Sequence, residues 1–216
     1  MKQTVFSRRA ARSAPLAAAL MVAGVFTLRA DTLTDNLSAA TAGTETASGD
    51  TWVAASFRTD ASSFTLSNVT LLLDSTDGGS AAVSVYSNGL LAPGSLLGTL
   101  TSSDSLSSAL TPVTFSNGGL SLAADSTYWV VLQALGGSVD WAWTDDNTGT
   151  GVGYQGAWGT SSDAGLTWFT DDIYPTQLSV NAAAASTATP EPDALTLWFA
   201  GALLVGTFLK TRKRGA

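Results

Sequence analysis

From Thr51 to Val180 the chain is cut at short intervals by Gly, Asn and Pro, and no piece between the cuts sustains a helical period. Buried backbone N–H and C=O groups need partners, so pieces too short for stable helices must pair with one another as strands. The pieces are rich in Thr, Ser, Val and aromatic residues, which suit a pleated, half-buried surface. Strands are predicted at Trp52–Phe57, Phe64–Asp74, Ala81–Ser87, Leu96–Leu100, Pro112–Phe115 and Leu120–Leu122. More follow at Thr127–Leu135, Val139–Thr144, Gly153–Trp158, Leu166–Phe169 and Thr176–Val180, with Thr127–Leu135 the most sheet-like and central. In the second of these strands, Phe64 and Leu66 precede Val69, Leu71 and Leu73 with a change of phase at Ser67-Asn68, the mark of a bulge.

Roughly ten short strands joined by Gly/Asn/Pro turns specify an all-β fold, an antiparallel β-sandwich of jelly-roll-like form. It is expected to occupy residues 31–181. Asp31–Asp50 reads as a polar, flexible lead with one edge strand near Asp35–Ser38, and Ser87-Asn88-Gly89 and Pro93-Gly94 read as turns. Residues 182–189, small and polar, read as a flexible linker.

Charge is distributed unevenly. Residues 31–189 hold fourteen Asp and one Glu against a single basic residue, Arg58, while the other basic residues gather at the two ends. So acidic a body repels nucleic acid and anionic lipid. The chain has no Cys and no His, which excludes disulfides, thiolate chemistry, histidine triads and histidine metal sites.

Both ends read as targeting segments. Lys2, Arg8, Arg9 and Arg12 precede an apolar run from Ala14 to Leu28, and Ala30 is a small residue before Asp31, so residues 1–30 read as a secretory signal peptide. Left uncleaved, the same segment would be an N-terminal anchor; Arg8-Arg9 starts but does not complete a twin-arginine pattern. At the other end, Ala194–Leu209 carries no charge and is followed by Lys210, Arg212, Lys213 and Arg214. Its sixteen residues reach roughly 24 Å as a helix, short of a hydrocarbon core of roughly 30 Å, and the basic side chains extend that reach by snorkelling. The basic cluster favours a cytoplasmic C-terminus and places everything before Ala194 across the membrane. Pro190 and Pro192 keep the segment before the helix extended and open to a processing enzyme.

Pro190-Glu191-Pro192, the apolar run and Lys210-Thr-Arg-Lys-Arg214 together resemble the PEP-CTERM sorting signal of Gram-negative surface proteins. Trp198-Phe199 and the small residues beside them depart from the leucine-rich run usual in that family. The resemblance implies a sorting signal at residues 190–214 with a transmembrane helix at 194–209. It also implies cutting near the tripeptide by an exosortase-like transpeptidase, after an export translocase and a signal peptidase have acted, and a final place at the cell surface or in the extracellular matrix. Within the body, Ala55-Ser-Phe57, Val69-Thr-Leu-Leu-Leu73, Val83-Ser-Val-Tyr86, Pro93-Gly94 and Leu122-Ala-Ala-Asp-Ser-Thr-Tyr-Trp129 resemble the choice-of-anchor domains, nearest the R type. That resemblance, over about Thr51 to Val180, implies an exported β domain of a kind with no established catalytic role.

Two constellations suggest ligands. Trp129, Trp141, Trp143, Trp158 and Trp168 crowd the second half, and Trp141 and Trp143 share a strand face because side chains alternate with period two. They are either core and rim or, with neighbouring Asp, a stacking platform for extracellular polysaccharide; burial of Trp141, Trp143 and Trp168 would remove the platform. Asp140, Asp145, Asp146 and Asn147 offer oxygen ligands for a structural calcium, though not with EF-hand spacing, and Asp171-Asp172 offers a second set. Solvated turn carboxylates explain them equally well. Catalysis would require two carboxylates opposed across a cleft, as in glycoside hydrolases, and adjacent pairs such as Asp145-Asp146 point to opposite sides when extended. The leading expectation is a non-catalytic exported protein of the cell envelope or matrix. A carbohydrate-binding module is the alternative, and a carboxylate-dependent hydrolase comes third.

Overall fold

A computed structural model describes residues 30–116 and 119–185. The apolar parts of the expected signal peptide, the sorting tripeptide, the span at 194–209 and the basic tail lie outside the described residues. Among the described residues no helix is long and apolar enough to cross a membrane.

Among the described residues thirteen strands form two antiparallel sheets. The first sheet contains β1 (Ala30–Asp35), β13 (Leu178–Ala184), β4 (Phe64–Asp74), β10 (Ser138–Trp143) and β2 (Gly43–Ser48) in that order, and β7 (Thr111–Ser116) and β8 (Ser121–Leu122) also pair with β4. The second has the order β12 (Phe169–Asp171), β11 (Tyr154–Ser161), β3 (Trp52–Arg58), β9 (Thr127–Ala134), β5 (Ala81–Asn88) and β6 (Pro93–Leu100). All described pairings between strands are antiparallel, and the two sheets pack as a β-sandwich.

The interior follows the alternation in the sequence. Val83 and Val85 of β5 and Val130 and Leu132 of β9 face Leu71, Leu73, Trp141 and Val180 of the first sheet within one buried cluster. The phase change in β4 is a bulge: Asn68 pairs with Asn181, and the next pair joins Leu66 to Ala182. Skipping Ser67 turns both Phe64-Leu66 and Val69-Leu71-Leu73 inward. Each such side chain contributes about 1.5–3 kcal/mol by leaving water.

Four expectations need correction. The lead is ordered and forms two strands, β1 and β2, where one edge strand near Asp35–Ser38 was expected. Asn36 ties it down by accepting from the Leu178 N–H at 2.8 Å and donating to the Thr176 carbonyl at 3.1 Å. Buried Gln177 accepts from Thr41 Oγ1 at 2.6 Å and donates to the Ala39 carbonyl at 2.7 Å. Pro93-Gly94 opens β6 instead of making a turn, because the chain has already reversed at Gly89–Ala92, where the Gly89 N–H donates to the Ala92 carbonyl. The strand expected at Leu166–Phe169 begins only at Phe169, since residues 162–168 are held as a loop by Asp163. Finally, β13 runs to Ala184, three residues into the expected linker, because Ala182, Ala183 and Ala184 pair with Leu66, Thr65 and Phe64.

Candidate functional site

The tryptophans are divided between the sheets. Trp141, on β10, is fully buried between them and donates its indole N–H to the Gln177 carbonyl at 2.8 Å. It is a core residue, so a platform led by Trp141 and Trp143 is not formed. Trp143, two residues on, sits at the strand end over Gly43, where an added Cβ would collide with its ring. Its ring also meets Tyr174 at 5.3 Å, tilted by 55°.

Trp129 and Trp168 belong to the second sheet. Trp129, Ala54 and Val131 form a small buried cluster outside the main core, with Trp52, Tyr86, Ala157 and Trp168 packed around it. The Val53–Phe57 stretch of β3 and the Tyr128–Leu132 stretch of β9 are buried at successive positions because both their faces are covered. The covering loop is shaped by Asp163, which accepts from Ser161 Oγ at 2.8 Å, the Thr167 N–H at 2.8 Å and Thr167 Oγ1 at 2.6 Å. These bonds, led by those from Thr167, hold the Asp163 carboxyl down at about 2. Trp168 closes the loop by donating to the Gly165 carbonyl at 3.1 Å.

Beside this cluster, on the outer face of the second sheet, lies a cleft of about 530 Å³. Ser56 and Trp129 meet on its floor as cross-strand partners, and Gln155 and Thr170 lie beyond them. One wall is the end of β5 at Asn88, whose side-chain oxygen accepts the Trp129 indole N–H at 2.8 Å. The opposite wall is the turn beginning at Asp171-Asp172.

Three residues singled out from the sequence hold that turn. Trp158 donates its indole N–H to the Ile173 carbonyl at 2.6 Å, and Asn147 donates its amide to the Asp172 carbonyl at 2.9 Å. Trp143 packs on Tyr174, which has φ of +63°, a backbone conformation that bulky residues seldom adopt. Asp171 tightens the turn from within, accepting the N–H groups of Asp172 at 2.7 Å and Ile173 at 3.0 Å. Gly156, at φ +67° in the irregular part of β11, lets Asn147 approach, since a Cβ there would strike the Asn147 side-chain oxygen. Of the residues expected to touch a sugar or a metal, Trp143, Asn147 and Trp158 thus brace a cleft wall.

The metal candidates are spread out. Asp140 stands on the outer face of the first sheet between Asp74 and Thr46, and Thr46 donates to it at 2.5 Å. Burial, then the charge of Asp140, pushes the Asp74 carboxyl up. Asp145, Asp146 and Asn147 occupy the loop after β10, where Asp146 accepts the Thr148 N–H at 3.1 Å. Burial and the Asp146 charge raise the nearby Tyr154 phenol. Among the described residues no three His, Cys, Asp or Glu side chains gather as a metal group. Glu45, placed by its sequence in a flexible lead, is instead on β2 opposite Trp141, half-buried, with its carboxyl raised by burial.

Sequence reasoning missed Ser56. It is 3% exposed, and its hydroxyl has no hydrogen-bond partner among the described residues. A single Ser between Ala55 and Phe57 carries no signal of its own; its pairing with Trp129 comes from the fold. Comparison with protein-family models and with curated proteins finds no match for this chain.

Proposed function

We propose that the chain is an exported, non-catalytic protein of the cell envelope or extracellular matrix, a jelly-roll-like sandwich carried between a signal peptide and a membrane-anchored sorting signal. Its observational basis is the three-part C-terminal pattern: Pro190-Glu191-Pro192, the uncharged run Ala194–Leu209, and the basic cluster Lys210, Arg212, Lys213 and Arg214. In this reading the translocase and signal peptidase deliver the body to the periplasm. An exosortase-like transpeptidase then acts near the tripeptide, and the body passes to the surface.

The body suits such a role. Apolar packing between the sheets holds it together without disulfides, and its single basic residue, Arg58, lies 3.8 Å from Asp125 in an exposed pair. Asp171 and Asp172, the carboxylates at the cleft, are neighbours in one turn and do not oppose each other across it. That arrangement supports a binding or structural role over carboxylate-dependent hydrolysis.

Cell fractionation and intact-mass measurement test the reading. The mature protein should begin near Asp31, lack the residues after the sorting tripeptide, and leave the inner membrane. Replacing Pro190, Glu191 and Pro192 with Ala should leave a longer protein in that membrane; unchanged mass and location in this variant would refute the sorting step.

A further inference from the structure

We propose that the cleft on the outer face of the second sheet binds a neutral, polyhydroxylated ligand, a short stretch of uncharged glycan, with Ser56 as the central hydrogen-bonding residue. This goes beyond the surface-protein reading and stands without it.

The first support is an orphan. A buried hydroxyl without a partner is unfavourable, because it has given up its hydrogen bonds to water and nothing has replaced them. Thr34, Ser56, Asp74 and Thr176 each have a buried side-chain oxygen without a hydrogen bond among the described residues, and of these Ser56 lines the cleft. A ligand hydroxyl seated over Trp129 can donate to the Ser56 oxygen and accept from its hydrogen, meeting both needs at once.

The second support is the chemistry of the walls. Asn88 commits its side-chain oxygen to the Trp129 indole, which leaves its NH2 group as a donor. Gln155 and Thr170 add an amide and a hydroxyl, and Asp171 and Asp172 add acceptors. A polyol offers donors and acceptors in alternation and matches this mixture, whereas a bare cation would use only the oxygens. No lining residue is basic, and two are acidic, so an anionic glycan is repelled. Arg58, two positions along β3 from Ser56, is beside Asp125. The volume of about 530 Å³ falls within the roughly 300–1,000 Å³ of small-ligand clefts. Trp129 is only 2% exposed, so recognition rests on hydrogen bonds more than on ring stacking.

The test is calorimetric titration of the full-length chain in a zwitterionic, sugar-free detergent. The ligands are maltohexaose, cellohexaose and mannohexaose, with oligogalacturonate and calcium chloride as charged comparisons. At least one neutral oligosaccharide should bind, and Ser56→Ala should weaken it about tenfold with no fall in melting temperature. Gln155→Ala, at an exposed position, should weaken the same ligand without affecting folding. Failure of all three neutral oligosaccharides to bind would overturn the proposal. So would binding that both variants leave intact, or a response to oligogalacturonate or calcium alone.

Discussion

On the outer face of the first sheet, Asp140 stands between Asp74 and Thr46, and Thr70 meets Thr114 at 3.0 Å. On the outer face of the second, Ala54, Trp129 and Val131 are buried beneath neighbours that include Trp52 and Trp168, next to a braced cleft. Both faces belong to one sandwich and alternate against one core. The first keeps the short polar side chains usual on a solvated sheet, while the second carries apolar groups that the main core does not require. Packing between the sheets explains the alternation of the first face, where Asp74 also has a buried oxygen without a hydrogen bond. On the second, Ser56 and the Asp171–Tyr174 turn are the features on which the proposed binding rests.

The largest expected effect marks the boundary of that contrast. Trp141→Ala removes a fully buried indole and its bond to Gln177, and should cost about 3–5 kcal/mol in chemical denaturation. Trp168→Ala, at the partly exposed margin of the second cluster, should cost about 1 kcal/mol. Equal losses would mean that the second cluster is as much a folding core as the first.

Gly43→Ala drives a methyl group into Trp143 and should cost about 1–3 kcal/mol. Because Trp143 braces Tyr174, this variant should also loosen the turn, seen as faster amide exchange at Asp172 and Ile173 than at Val69 or Leu71. Uniform acceleration would break the link between Trp143 and the cleft wall. Ser56→Ala is smaller and opposite in sign: stability should stay level or rise by up to about 1 kcal/mol, since an unpaired hydroxyl is removed. A clear loss would show that Ser56 serves the fold and not a ligand.

The two regions also respond to acid with opposite signs. The Asp163 carboxyl, lowered to about 2 in the loop covering the second sheet, stabilises the fold above its ordinary value of 3.8. That contribution is lost as pH falls through about 2. Asp74, raised on the first sheet, contributes fully below 3.8 and loses its contribution as pH rises through its folded value. Denaturation midpoints between about pH 2 and 7 should therefore show a weaker acid decline for Asp163→Asn and a gain near neutrality for Asp74→Asn. The reverse pattern would contradict both environments.

The sequence carried the sandwich better than the site. Val83-Ser84-Val85 and the phase change at Ser67-Asn68 were readable because a bulky side chain on the wrong face would be exposed. β1, β2 and the end of β13 were hidden because Thr, Ala and Gly alternate with little contrast in size or polarity. Period two placed Trp141 and Trp143 on one face but could not set their depth, which depends on Gly43, Gln177 and position along the strand. Trp129 and Trp168 were grouped with them because nothing in the sequence shows that the chain passes from the second sheet to the first between β9 and β10. Asn88, Gln155 and Thr170 lie on three strands and form a cleft only after those strands pair.

Backbone amide and side-chain NMR spectra of the body, recorded during titration with the neutral oligosaccharide that binds, test most directly whether the second sheet's outer face is the functional one. Shifts confined to Ser56, Asn88, Trp129, Gln155 and Asp171, with Thr46, Asp74 and Asp140 unmoved, are the predicted result. Shifts centred on the first sheet, or none at saturating ligand, would contradict it.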